Sequence, residues 1–283
     1  DFDLEKMFES NMQAFKEIYP DIYRVCLNYR LSRFELRMDG VNINLYDTKK
    51  DVYLYEKDAY QDSLVQFLSF QEKPFVLTNK FSFRDEINDG FIHSNYLNKL
   101  AVNLKRQNDK KLSNILPGIL PSLMLLGVGS GYHIQLLLNE HVIKKLYIYE
   151  PYFDLFYLSL YLTNWNDIFT KLHENGTELH FSVGEFDDDS GITKEVEAFF
   201  QEFGRFYSGY SYLYKNYHDS YLDLIAKNLS QQFVGNVLGL GFYDDAILSI
   251  DNFSNNFDIP FLKGEKSEAV SYTHLRAHET KKH

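Results

Sequence analysis

Gly127-Val128-Gly129-Ser130-Gly131 joins an apolar run, Ser122-Leu123-Met124-Leu125-Leu126, to amphipathic text from His133 to Glu140. Three glycines at alternate positions between an inner strand and a helix constrain the fold strongly. The backbone must turn through positive φ, and something must approach with no Cβ in the way. The helix start beyond them offers unpaired N–H groups and a positive dipole end. Leu146-Tyr147-Ile148-Tyr149 reads as a second buried strand, and Glu150 ends it 19 residues after Gly131. In dinucleotide folds an acid at that place accepts hydrogen bonds from ribose hydroxyls.

Strand and helix continue to alternate. Asp154 to Leu162 reads as helix, Leu179 to Val183 as strand and Thr193 to Phe203 as helix, with closing helices over Tyr221–Gln232 and Asp244–Phe253. This pitch predicts an α/β fold, a Rossmann-like parallel sheet with flanking helices and right-handed crossovers. The text before it differs. Met7, Phe8, Met12, Phe15 and Ile18 predict an amphipathic helix from Phe2 to Tyr19, with Pro20 after it. Asp39-Gly40 between two alternating runs predicts a β-hairpin, and Val52–Tyr55 a third strand. Helical text returns over Ala59–Phe70 and Ser94–Arg106, and polar Gln107–Asn114 reads as a linker. The expected division is a smaller α+β N-terminal region at 1–115 and a Rossmann-like domain at 116–268.

The last stretch, 269–283, does not match the Asn-, Phe- and Tyr-rich text before it. Val270 to Thr280 resembles the translation of a transposase adapter used for sequencing libraries, so His274, His278 and His283 are set aside as ligands. With no initiator Met at Asp1, the chain is expected to be a fragment of a longer protein. A formal charge of −11 lacks the basic face that nucleic acid requires, so no nucleic-acid partner is expected. The longest apolar run, Leu116 to Val128, is broken by two prolines and two glycines; no membrane partner is expected. Cys26, the one cysteine, allows no internal disulfide and fits a reducing, cytoplasmic setting.

The candidate cofactor-binding residues are Gly127, Gly129, Gly131, His133 and Glu150. Nicotinamide binding is disfavoured, because that fingerprint wants a third glycine where Tyr132 stands. A G-x-G-x-G turn plus a ribose acid is similar to S-adenosylmethionine methyltransferases. Those enzymes usually carry an acid two residues before the first glycine, and Leu125 stands there. The competing reading is fold geometry alone, with Tyr132 or His133 filling a closed cleft and no ligand. His133 could meet a phosphate or carboxylate, although a histidine at a helix start is more often solvated or capping. Asp187-Asp188-Asp189 and Asp244-Asp245 read better as a solvated turn and a helix start than as metal or general-base sites. The run Phe206 to Tyr214 could stack on a sugar or base, or pack in the core. No metal site and no catalytic residue is assigned.

Leu126 to His133, then Tyr149-Glu150-Pro151 with Asp154-Leu155-Phe156, resembles the bacterial motility accessory factor family, of the 6-hydroxymethylpterin diphosphokinase-like group. Gly204-Arg205-Phe206 and Gly241-Phe242-Tyr243-Asp244-Asp245 are similar to that group too, and the likeness runs from about Met7 to Lys263. The resemblance implies a flagellin glycosyltransferase moving a nonulosonic, sialic-acid-like sugar from a CMP carrier to Ser or Thr. In such proteins a region of this kind precedes a central domain that begins with a glycine-proline-serine-leucine turn. None appears before Glu268, so the resemblance implies that the catalytic domain lies beyond it. The visible part would then act as scaffold, acceptor-recognition or oligomerisation module, with flagellin or another acceptor protein as partner. No cofactor is assigned to this region itself; the CMP-sugar belongs to the full-length protein, with S-adenosylmethionine as the alternative.

Overall fold

The computed structural model describes residues 3–78, 90–107, 115–185, 191–203, 210–238 and 243–255. The 269–283 stretch, the Asp187–Asp189 run, Gly204-Arg205-Phe206 and the 108–114 linker lie outside them. The chain begins with α1 (Leu4–Ile18), whose start Asp3 caps by accepting from the Lys6 N–H. Pro20 does more than stop this helix. It opens α2 (Pro20–Cys26), where its missing N–H would have no partner in any case. A meander follows: β1 (Phe34–Asp39), β2 (Asn42–Asp47) and the two-residue β3 (Val52–Tyr53). Asp39 pairs with Asn42, so the tight loop is Gly40-Val41 and not Asp39-Gly40. Gly40 takes the positive φ, +62°, that the first loop position needs.

After α3 (Ala59–Glu72) and β4 (Phe75–Thr78), helix α4 (Ile92–Gln107) precedes β5 (Ile119–Leu120) in the chain. The Rossmann-like part then runs β6 (Leu123–Leu126), α5 (Tyr132–Glu140), β7 (Val142–Ile143), β8 (Lys145–Glu150), α6 (Phe153–Leu162), α7 (Trp165–Glu174), β9 (Glu178–Val183), α8 (Gly191–Phe203), β10 (Tyr210–Lys215) and α9 (Ser220–Leu238), and α10 (Tyr243–Asn255) follows in the chain. The main sheet has the order β4-β10-β6-β8-β9. Its last four strands are parallel, and β4 alone runs antiparallel, against β10. The order reverses between β6 and β10, the switch point where α/β sheets leave a crevice at their carboxyl ends.

Alternation sorts the sheet into two faces. Leu123, Leu125, Leu146, Ile148, Tyr212 and Tyr214 pack on one side, with residues of α1, α3, α5 and α7. Met124, Leu126, Tyr147, Tyr149 and Leu213 pack on the other, with residues of α8 and α9. Helix α6 feeds both clusters, since seven of its ten residues are buried and the other three are partly covered. A helix apolar all round must be covered all round. Helix α1 packs on it and β1 approaches it. Buried Asn11 ties α1 down: its amide donates to the Leu160 and Thr163 carbonyls, and its oxygen accepts from the Trp165 N–H. One compact unit therefore takes in Asp1–Arg84 and Arg106–Leu240, spanning the division drawn at 116, and a second takes in Asp85–Lys105 and Gly241–His283.

Candidate functional site: a glycine turn filled by its own chain

Gly127, Gly129 and Gly131 carry φ of +89°, +50° and +83°, the left-handed region in which L side chains are strained. The first continues the ladder from β6, its N–H donating to the Tyr149 carbonyl at 2.8 Å. The last caps α5. Each of the three is approached closely by a side chain. A Cβ on Gly127 would lie 2.6 Å from Cε1 of Tyr217, on Gly129 2.5 Å from the Tyr55 hydroxyl, and on Gly131 2.6 Å from Oγ1 of Thr163.

Glu150, at the tip of β8, reaches back to this turn and is fully buried. Its Oε2 accepts from the Val128 N–H at 2.7 Å and the Gly129 N–H at 3.1 Å. Its Oε1 accepts from the Tyr152 N–H at 3.0 Å and the Tyr217 hydroxyl at 2.6 Å. Burial pushes the carboxyl up to about 7, against the pull of these four donors, Tyr217 first among them. The Ser130 N–H is taken as well, by the Tyr55 hydroxyl at 2.9 Å, which donates in turn to Ser130 Oγ. The Asn216 amide donates to the Tyr55 hydroxyl and to the Val128 carbonyl, while Thr163 Oγ1 donates to the Ser130 carbonyl at 2.8 Å.

The Val128, Gly129 and Ser130 amides, which would meet an external anion at this turn, are thus engaged by a carboxylate and a phenol of the same chain. Asn216 and Tyr217 leave the end of β10 and enter the switch-point crevice. Tyr55 arrives from the segment after β3.

His133 stands apart from this network. It is fully buried one residue into α5 and stacks on Tyr214, ring centroids 5.3 Å apart and planes 2° from parallel. Burial holds it down at about 3, outweighing the opposing effect of the Gly127 backbone, so at neutral pH it presents no positive charge. Tyr132 points elsewhere, edge-on to Tyr60 of α3. The crevice is therefore filled by Tyr217, Tyr55 and Asn216, and by neither of the two residues after the turn. The end of the aromatic run is β10, with Tyr214 set between Phe70 and His133. Asp245 is exposed on α10, and no cluster of metal-ligating residues occurs among the described residues. No helix among them is long and apolar enough to cross a membrane.

Tyr55, Thr163, Asn216 and Tyr217 are site residues that sequence reasoning missed. One signal was available: Tyr-Ser-Tyr-Leu-Tyr-Lys alternates over 210–215, and reading it as the fourth parallel strand would have put Asn216 and Tyr217 at the switch point.

Residues 7–237 match the family model described as the glycosyltransferase Maf N-terminal domain. Curated protein sequences yield no match. Among solved structures, the fold is similar to that of a Maf glycosyltransferase from Magnetospirillum magneticum AMB-1, with a TM-score of 0.62 at 18% identity. The likeness covers 86% of this chain and 37% of that one. The family match takes in well over half of the residues, and the chain belongs to the Maf glycosyltransferase N-terminal domain family.

Proposed function

We propose that this chain is the scaffold and acceptor-recognition part of a cytoplasmic protein glycosyltransferase. The full-length protein would transfer a nonulosonic sugar from a CMP carrier to Ser or Thr of flagellin or another acceptor protein. Donor binding and chemistry belong, on this reading, to a separate catalytic domain of the full-length protein. One observation carries it: every glycine-turn amide that could grip a phosphate or ribose, and the acid that would complete the site, already has an internal partner. Opening the turn to a nucleotide would break the four hydrogen bonds to Glu150 or expel Tyr217, at roughly 1–3 kcal/mol for each buried group left unpaired. The turn is then a device for docking β6, β8, β10 and the meander.

Calorimetric titration of this chain with a CMP-activated nonulosonic sugar is expected to give no heat at millimolar ligand, and incubation no hydrolysis. Tight binding would contradict the division of labour. The same titration with S-adenosylhomocysteine separates the methyltransferase reading. Micromolar binding abolished by Gly129→Trp would establish that reading in place of ours.

A further inference from the structure

The other flank of β10 carries a cavity of about 660 Å³. Strand β4 covers β10 only from Tyr210 to Leu213, where Leu213 faces Phe75, so Tyr214 and Lys215 run on past the start of β4. Helix α3 walls the notch through Val65 and Ser69, with Lys73 at its C-cap, and α9 walls it through Asp223, Lys227 and Ser230. These spacings of three and four residues put one stripe of each helix on the cavity. Val65 and Phe75 stay 64% and 53% exposed, so the notch offers apolar surface to solvent.

The rim is basic in an acidic protein. Lys215 pairs with Asp223, which neutralises both. Lys73 and Lys227 have no ion-pair partner among the described residues, although the chain as a whole carries −11. An apolar notch that continues a sheet edge, with a lysine on each wall that has no ion pair among the described residues, suits a peptide more than a flat partner surface. Strand addition at an open edge takes affinity from backbone bonds and specificity from alternate side chains.

Deepening the acceptor-recognition reading, on which it rests, we infer that this notch docks an extended acidic peptide segment, its apolar side chain against Val65 and Phe75 and its carboxylates at Lys73 and Lys227.

The probe is a fluorescent hexapeptide alternating glutamate and leucine, followed by anisotropy against the full chain. A lysine–leucine hexapeptide is the control. The acidic peptide should bind, weaken with added salt, and lose about tenfold in affinity in K73E/K227E, since steering and pairing by both lysines are reversed. Both sites are surface positions, and an unchanged thermal melt checks that the variant is folded. S230W, which fills the notch without altering charge, should weaken binding as well. Absence of binding, equal binding of the basic peptide, or affinity unchanged in both variants would overturn the proposal. The assignment of this chain to scaffold and acceptor recognition fails separately, through tight CMP-sugar binding by this chain.

Discussion

On the β6 side of β10, residues leaving the strand fold into the crevice and fill it; on the β4 side, residues of the same strand end line an open cavity. The two flanks are separated by one strand width, and the sequence advertises them in reverse. Glycines and an acid mark the side that is closed. The open side is marked only by a short edge strand and three lysines. A glycine turn reports that something approaches the backbone without a Cβ in the way, and here that something is Tyr217, Tyr55 and Thr163. Ligand use is a separate property, decided by whether the amides around the turn are still free.

The largest expected effect is on the closed side. Gly131→Val forces a β-branched residue to φ +83° and drives its Cβ to 2.6 Å from Thr163 Oγ1. Strain and overpacking together should cost about 4 kcal/mol in urea denaturation. A loss below about 1 kcal/mol would mean the turn relaxes freely, and the closed description would fail. Glu150→Ala should follow at about 3 kcal/mol, because it leaves the Val128, Gly129 and Tyr152 amides without their acceptor.

Next comes a pH effect. Glu150, at about 7 when folded against its ordinary 4.5, binds protons in the native state that the unfolded chain has released. Its contribution is complete below 4.5 and is lost as pH rises towards 7. His133, held at about 3 against its ordinary 6.5, acts in the opposite sense: stability is lost as pH falls from 6.5 towards 3. The two offset each other between 4.5 and 6.5. Asp47, Asp154 and Asp219 are lowered from 3.8 and titrate below this window. Glu150→Gln leaves His133 unopposed, so its stability should climb by about 2 kcal/mol across that window while the parent stays nearly flat. Parallel pH profiles for the two proteins would refute the assignment.

Tyr55→Phe removes the hydroxyl that accepts from the Ser130 N–H and from Asn216, at a cost of about 1 kcal/mol in the same denaturation experiment. Ser230→Ala, on the open flank, should stay within about 0.5 kcal/mol of the parent. A cost as large as that of Tyr55→Phe would show the notch to be packed and not free.

What could be read from the sequence follows from what periodicity encodes. Buried parallel strands β6 and β8 appear as unbroken apolar runs, and α1 and α3 as helical stripes, because burial sets those patterns locally. Strand β4 is only four residues long, and β10 carries three tyrosines, Tyr210, Tyr212 and Tyr214, against one aliphatic residue, Leu213. Strand β4 is too short to carry a clear periodicity, and the alternation of β10 sits in an aromatic run that fits core packing or stacking equally well, so the sequence reading includes neither strand. Helix α7 is a different case: Trp165, Ile168, Phe169 and Leu172 share one face at helical spacing, yet the sequence reading does not include it. Gly127, Gly129, Gly131 and Glu150 stand out because φ and strand position constrain residue type. Tyr55 and Asn216 lie 75 and 88 residues away in the chain from the turn residues they meet, and no local rule joins residues so distant.

The central claim is that the amides of the glycine turn are held by Glu150 and not reserved for a nucleotide. The most direct test follows the Val128 and Gly129 amide resonances of the intact chain by NMR. The account predicts that both shift together with a midpoint near pH 7, and that neither moves when CMP or S-adenosylhomocysteine is added at millimolar concentration. Saturable shifts of these two amides at micromolar nucleotide would contradict it.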